Sequence, residues 1–221
     1  MRILHLITSI DKGGAESQVI NLAEMQKKEK FSVLVVYAKG EGYWKKYKKI
    51  NFLNLRKSSN SFRLISDVLN IIKVIKKIKP DIINVHLPYM EICLFFSLFF
   101  LNKNFKIVCT KHLDNHLFDK IGFNFLFLGN LITRMVAYKY DKIIAISNAV
   151  KKFYLKNKII DNPKKIEVIY YGIKLKQKIK YKFSINLRKR YKISSKDYII
   201  GTVSRLVPQK SLHHLINSFS I

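Results

Sequence analysis

Cysteine, proline, glycine and acidic residues are all scarce in this chain, and each shortage excludes something. The two cysteines, Cys93 and Cys109, lie inside apolar runs, far from any CxxC or Cys/His spacing. That excludes a disulfide framework and a thiolate metal site, and reads as two small buried hydrophobes in a reducing compartment. Four prolines and eight glycines are too few for a linker-dominated or disordered chain. With 48% hydrophobic residues there is material for a real core. Long apolar runs are missing too. The longest without a charge, residues 92–101, falls well short of the ~20 residues a spanning helix needs. The first sixteen residues are an apolar run and a glycine turn without a small-residue cleavage site, so they read as a strand and not a signal peptide. The expected location is cytoplasmic, either free or peripheral on the cytoplasmic face of a membrane.

Against 14 acidic residues stand 42 Lys and Arg, a formal charge of +28 spread through every segment. Three readings compete: a genome that writes Lys, Ile and Asn freely, an anionic membrane surface as partner, and nucleic acid. Lipid attraction amounts to ~1 kcal/mol per basic residue near the surface. No zinc-finger, RNP-type or recognition-helix pattern accompanies the charge, so no specific nucleic acid is expected.

Apolar runs alternate with amphipathic stretches, the βα rhythm of a parallel sheet covered on both faces. Strands are predicted at residues 2–8, 31–37, 52–55, 81–86, 106–110, 142–147 and 165–169, and a fresh one at 197–204. Helices are predicted at 15–28, 61–78, 91–100, 121–140 and 148–156, with another starting at 211. The helix over 61–78 carries an apolar stripe from Leu64 and Ile65 to Ile78, and Pro80 stops it. The helix over 15–28 presents Val19, Ile20, Leu22, Ala23 and Met25. Residues 111–119 are predicted as a polar loop with His116 on its surface, and 174–192 are basic with little periodicity.

Three places could carry chemistry. Lys12-Gly13-Gly14-Ala15-Glu16 follows a strand and opens a helix. Adjacent glycines allow close backbone approach, and free N–H groups at a helix start favour an anion. The alternative there is a tight turn without a ligand. His86 and His112 each stand at a strand's end, where open parallel sheets place their ligand crevice. His213 and His214 read as helix surface. Finally, Gly201-Thr-Val-Ser-Arg205-Leu-Val-Pro-Gln-Lys210 brings two cations to a helix start, a site for a diphosphate that requires no metal.

Four motifs in order carry a resemblance: Thr8-Ser-Ile-Asp-Lys-Gly-Gly-Ala-Glu16, Ala145-Ile-Ser-Asn-Ala-Val150, Ile166-Glu-Val-Ile-Tyr-Tyr-Gly-Ile173 and Gly201 to Lys210. Together they resemble the family-4 retaining glycosyltransferases of GT-B fold, in which two Rossmann-like domains face each other. The resemblance implies an α/β fold with a Rossmann-like parallel sheet and helices on both faces. It implies transfer of a hexose from a UDP- or GDP-linked donor to a hydroxyl of a glycan or lipid-linked acceptor, with retention and without metal or other cofactor. It puts Gly13, Gly14, Arg205 and Lys210 near the donor phosphates and His112, as the catalytic candidate, in the sugar site. His86 and Glu16 would line the substrate. Tyr170-Tyr171-Gly172 departs from the family's usual Pro-Asn-Gly, and Ser211 stands where glycine commonly follows the lysine.

The expected organisation is a first, acceptor-side domain over 1–175, a basic linker with one helix over 176–196 and the start of a donor-binding domain over 197–221. The family's paired glutamates and its nucleotide-base pocket belong beyond Lys210 and do not occur here. The chain alone is therefore expected to bind nucleotide weakly and turn over little. The alternative is a non-catalytic remnant or a membrane-surface binding domain.

Overall fold

The computed structural model describes residues 1–40, 49–56, 63–114, 126–172 and 187–219. His116, most of the basic stretch 174–192 and part of the apolar run 123–128 lie outside them. The chain divides into two compact units, Met1–Ile173 and Lys174–Ile221.

Among the described residues of the first unit, seven strands form one parallel sheet: β1 (Arg2–Ser9), β2 (Ser32–Lys39), β3 (Asn51–Asn54), β4 (Ile82–His86), β5 (Lys106–Lys111), β6 (Lys142–Ala145) and β7 (Ile166–Val168). Their order is β3-β2-β1-β4-β5-β6-β7. Connections run outward from β1 to β3, then restart with β4 on the other side of β1. The order therefore reverses between β1 and β4, where such sheets open a crevice at the carboxyl ends of their strands.

Helices α1 (Gly14–Lys28), α2 (Arg63–Ile78), α3 (Pro88–Ser97), α4 (Leu126–Tyr138) and α5 (Asn148–Lys156) accompany the sheet. One core packs α1 against Ile3, Ile7, Val33, Val35 and Tyr37. The other gathers Leu4, Leu6, Ile83, Val85, Ile107 and Cys109 with side chains of α2, α3 and α4. The alternation of side chains along each strand separates the two. Both cysteines are buried and unpaired.

The helix stripes are narrower than the sequence predicts. On α1 only Val19, Ile20 and Ala23 are buried, whereas Leu22 and Met25 are exposed. On α2, Val68, Ile71, Ile72 and Ile75 are buried, and Leu64, Ile65 and Leu69 face out. One sheet face meets only part of a helix's circumference, so residues a hundred degrees away stay wet. Helix α3 begins three residues before its predicted start because Pro88, with φ already fixed, opens its first turn. Lys79, in the left-handed region at φ 49°, and then Pro80 end α2 where expected.

The second unit contains the short helices α6 (Leu187–Arg190) and α7 (Leu212–Asn217), with a 3-10 turn at Pro208–Lys210. The strand predicted over 197–204 does not form: those residues carry no ladder, and Tyr198 and Val203 are almost wholly exposed. An isolated extended segment has no partner to satisfy its backbone, so apolar patterning alone does not make it a strand. His213 and His214 lie exposed on α7. Among the described residues no helix is long and apolar enough to cross a membrane.

Candidate functional site

The glycine turn follows β1 at the switch point. Gly13 caps α1 in an extended conformation and Gly14 starts the helix. The two differ in what surrounds them. A Cβ on Gly13 would stand 2.0 Å from Glu16 Oε2, whereas nothing lies within 4 Å of one on Gly14. Glu16 is fixed there by the Ser9 hydroxyl, which donates to its Oε1 at 2.8 Å. The turn thus presents an open backbone at Gly14 and a carboxylate at Gly13.

The registers of β1, β4 and β5 bring a polar stripe to the α1 side of the sheet. His5 stands opposite Asn84, and His86 opposite Thr110. With a two-residue period, His5, Asn84, His86, Thr110 and His112 share that face. Thr110 Oγ1 donates to Asn84 Oδ1 at 3.0 Å. The three imidazoles form a continuous line. Gln26 Oε1 lies 2.7 Å from His5 Nε2, His5 Nδ1 lies 3.2 Å from His86 Nε2, and His86 Nδ1 lies 3.1 Å from His112 Nε2. The line ends where His112 Nδ1 meets the hydroxyl of Tyr171.

His5 and His86 are buried and His112 is partly open. Burial pulls the pKa of His5 down to about 4. It does the same to His112, where Lys111 lowers the value further and Glu91 opposes it. His86, buried between two other imidazoles, lies well below its ordinary value. All three are neutral at physiological pH. Burial raises the Tyr171 phenol, which keeps its proton. Leu87, next to His86, holds φ at 68° and ψ at 146°, a region that bulky residues rarely adopt. Such strain gathers at functional sites.

On the opposite face Lys111 is buried against Glu91, which also accepts from the Tyr140 hydroxyl at 2.9 Å. Lys111 Nζ sits 5.1 Å from the centre of the Tyr154 ring. Burial alone disfavours the ammonium, but Cys109 and Glu91, with Tyr154, together more than offset that, and the Lys111 pKa lies above its ordinary value. At the end of β3, buried Asp67 takes a 2.8 Å ion pair from Arg56 and a 2.6 Å hydrogen bond from Tyr89.

His86 and His112, predicted separately at strand ends, are thus brought into one hydrogen-bonded line. Sequence reading missed His5, Gln26, Tyr171, Glu91 and Lys111. The one available signal was His5 itself, a polar residue in the middle of an otherwise apolar strand. Arg205 and Lys210 belong to the second unit, where both are exposed. Among the described residues no group of His, Cys, Asp and Glu is arranged to hold a metal ion.

An open, doubly wound parallel sheet with polar groups at its switch point is a Rossmann-like domain, here of the GT-B kind. Residues 12–177 match the model of Glycosyltransferase Family 4, and the chain belongs to that family. No curated protein sequence matches it significantly. Among solved structures it is similar to a glycosyltransferase from Rickettsia africae, at 22% identity and a TM-score of 0.62 over 88% of this chain and 50% of that one. It is also similar to HepE of Anabaena in complex with UDP and glucose, at 21% identity and 0.72 over 99% and 57%. A third is sucrose-phosphate synthase from Thermosynechococcus elongatus, at 14% identity and 0.74 over 99% and 59%. The chain therefore spans about half the length of the structures it matches, and these likenesses establish the fold.

Proposed function

We propose that the chain forms the acceptor-side part of an enzyme that moves a hexosyl group from a UDP- or GDP-linked donor to a hydroxyl of a glycan or lipid-linked acceptor, with retention. The observation that carries this reading is the line of neutral histidines ending beside the glycine turn's edge of the sheet, in a chain of family 4. HepE with UDP and glucose supports a nucleotide sugar as donor. Residues 1–175 are the acceptor-side domain, 176–196 the basic linker and 197–221 part of the donor-binding domain.

In this reading His112 touches the sugar, and the neutral ring exchanges hydrogen bonds with a hydroxyl. The open backbone at Gly14 and its neighbour Gly13 approach the donor diphosphate, while Glu16 accepts from a hydroxyl and His86 supports His112 from behind. Arg205 and Lys210 neutralise the leaving diphosphate, an electrostatic contribution that is strongest in the transition state and calls on no metal. Saturation-transfer NMR of the chain with UDP, GDP and their hexose conjugates tests this. Saturation of the hexose that weakens in His112→Ala, and of the diphosphate-linked ribose that weakens in Arg205→Ala, is expected. Absence of saturation from every nucleotide sugar would overturn it.

An anionic membrane surface is the partner that the rest of this unit suits. At the amino edge of the sheet an open cleft of about 890 Å³ is walled by Phe95, Phe99, Leu131 and Met135 and rimmed by Lys139, Lys165 and the Arg134–Asp161 ion pair, a net positive set. Phe96 and Phe100 are exposed nearby. Apolar contact within a cationic rim gives reversible attachment, weakened by salt because the Debye length is ~8 Å at physiological ionic strength. Sedimentation with vesicles of rising anionic content should pull the protein down progressively; indifference to lipid charge would rule this partner out.

A further inference from the structure

Three imidazoles in series obey a strict rule. Each neutral ring has one N–H and one lone-pair nitrogen, so every ring-to-ring hydrogen bond consumes one of each. In the line His5–His86–His112 all three rings must therefore carry their protons in the same sense, and whichever end is unambiguous decides for all. The ends are unequal. Tyr171 is a hydroxyl, able to donate or accept. Gln26 presents its carbonyl oxygen to His5 Nε2 at 2.7 Å, and a carbonyl oxygen only accepts.

We propose that Gln26, acting through His5 and His86, is a positioning residue that fixes His112 as its Nε2–H tautomer. His112 then offers the lone pair of Nδ1 to a substrate hydroxyl at the place where Tyr171 now donates its own. That a sugar hydroxyl is what arrives there rests on the function proposed above. The tautomer does not.

The steps follow from the acceptor end. His5 Nε2–H donates to Gln26, which leaves His5 Nδ1 to accept from His86 Nε2–H. His86 Nδ1 then accepts from His112 Nε2–H, and His112 Nδ1 accepts from the Tyr171 hydroxyl. The rings follow one another closely: their centres lie 5.4 Å apart for the stacked pair His5 and His86, and 5.3 Å apart for His86 and His112, which are tilted by 46°. Burial keeps all three rings neutral. The charged groups acting on His112 are Lys111 at the end of β5 and Glu91 on α3, and they oppose each other. The line orients and does not conduct, because a carboxamide takes up no proton at neutral pH. Reversing the sense would require a donor at His5 Nε2, which Gln26 supplies only if its carboxamide turns to bring the amino group there in place of the carbonyl oxygen. His112 would then present an N–H to the crevice, and a hydroxyl's proton would have no acceptor.

Correlation of ring 15N with ring 1H in the histidine-labelled full chain reads each tautomer directly, without substrate. All three rings should be Nε2–H in the unsubstituted protein. Gln26→Glu, which can only accept, should leave them so. Gln26→Met removes the acceptor at similar volume and should give His112 a mixture of tautomers, and Gln26→Lys, which can only donate, should turn it to Nδ1–H. An Nδ1–H His112 in the unsubstituted protein overturns the proposal, whether or not any variant folds. So does an unchanged His112 in folded Gln26→Met and Gln26→Lys. Nucleotide-sugar affinity that falls about tenfold in Gln26→Met and is kept in Gln26→Glu links the tautomer to the site. If the tautomers respond but no sugar binds, the functional reading fails and the positioning stands.

Discussion

The two faces of the sheet solve the same difficulty, a polar cluster inside an apolar core, in opposite ways. On the α2–α4 side the cluster is charged and closed: Lys111 and Glu91 are each almost wholly buried, and Tyr140 and Tyr154 complete their surroundings. On the α1 side it is neutral and open at one end, where His112 and Tyr171 reach the surface. A closed ion pair has no room for a ligand, so its role is to hold β5 against α3. An uncharged line with one accessible ring can exchange a partner at little electrostatic cost, and that is what a binding site requires. The difference separates structure from function without reference to any relative.

The largest effect is expected where the closed cluster is broken. Glu91→Ala leaves the Lys111 ammonium buried without its counter-charge and should cost about 3–5 kcal/mol in denaturant unfolding. Replacing both partners by apolar residues, Glu91→Leu with Lys111→Met, should recover most of that loss. If the single and double variants are equally unstable, the pair is not acting as a closed unit.

Acid should strike the other face. In the unfolded chain a histidine takes up its proton near pH 6.5, whereas His5 and His112 do so only near pH 4 when folded. Between those values the unfolded state binds more protons, so stability falls as the pH drops. The slope is about 1.4 kcal/mol per pH unit for each histidine, and it vanishes above about pH 7. Unfolding free energies measured from pH 7.5 down to 4.5 should show this, and His5→Gln should flatten the curve. An unaltered slope in that variant would mean the imidazoles are not held neutral by burial.

Smaller effects mark the boundary of the site. Gly13→Ala pushes the Glu16 carboxylate away from Ser9 and should cost about 1 kcal/mol, the worth of one hydrogen bond, in thermal unfolding. Gly14→Ala meets no neighbour and removes backbone freedom from the unfolded chain, so it should stabilise by about 0.5–1 kcal/mol while hindering anything that approaches the turn. Arg134→Ala breaks an ion pair with Asp161 whose partners are both well exposed, and should change stability by less than about 0.5 kcal/mol. A large loss there would mean that the amino edge is as structurally committed as the interior.

Much of this was legible in the residues themselves. Strand positions, the glycine turn, the stop at Pro80 and the family were read from patterns spanning a few positions each, because hydrophobic period, turn chemistry and helix caps are local properties of the chain. That His86 and His112 stand at strand ends was equally local. What no local pattern holds is register. Three histidines separated by 81 and 26 positions become one hydrogen-bonded line only because β1, β4 and β5 lie side by side and their side chains alternate in phase. The same alternation sends Lys111 to the opposite face, one residue from His112, and makes it a buried partner of Glu91. Gln26 and Tyr171 join the line through packing of α1 and of the segment after β7, contacts fixed by the fold. The apolar run at 197–204 makes the converse point: its composition suits a strand, but a strand exists only where another lies beside it to share its hydrogen bonds.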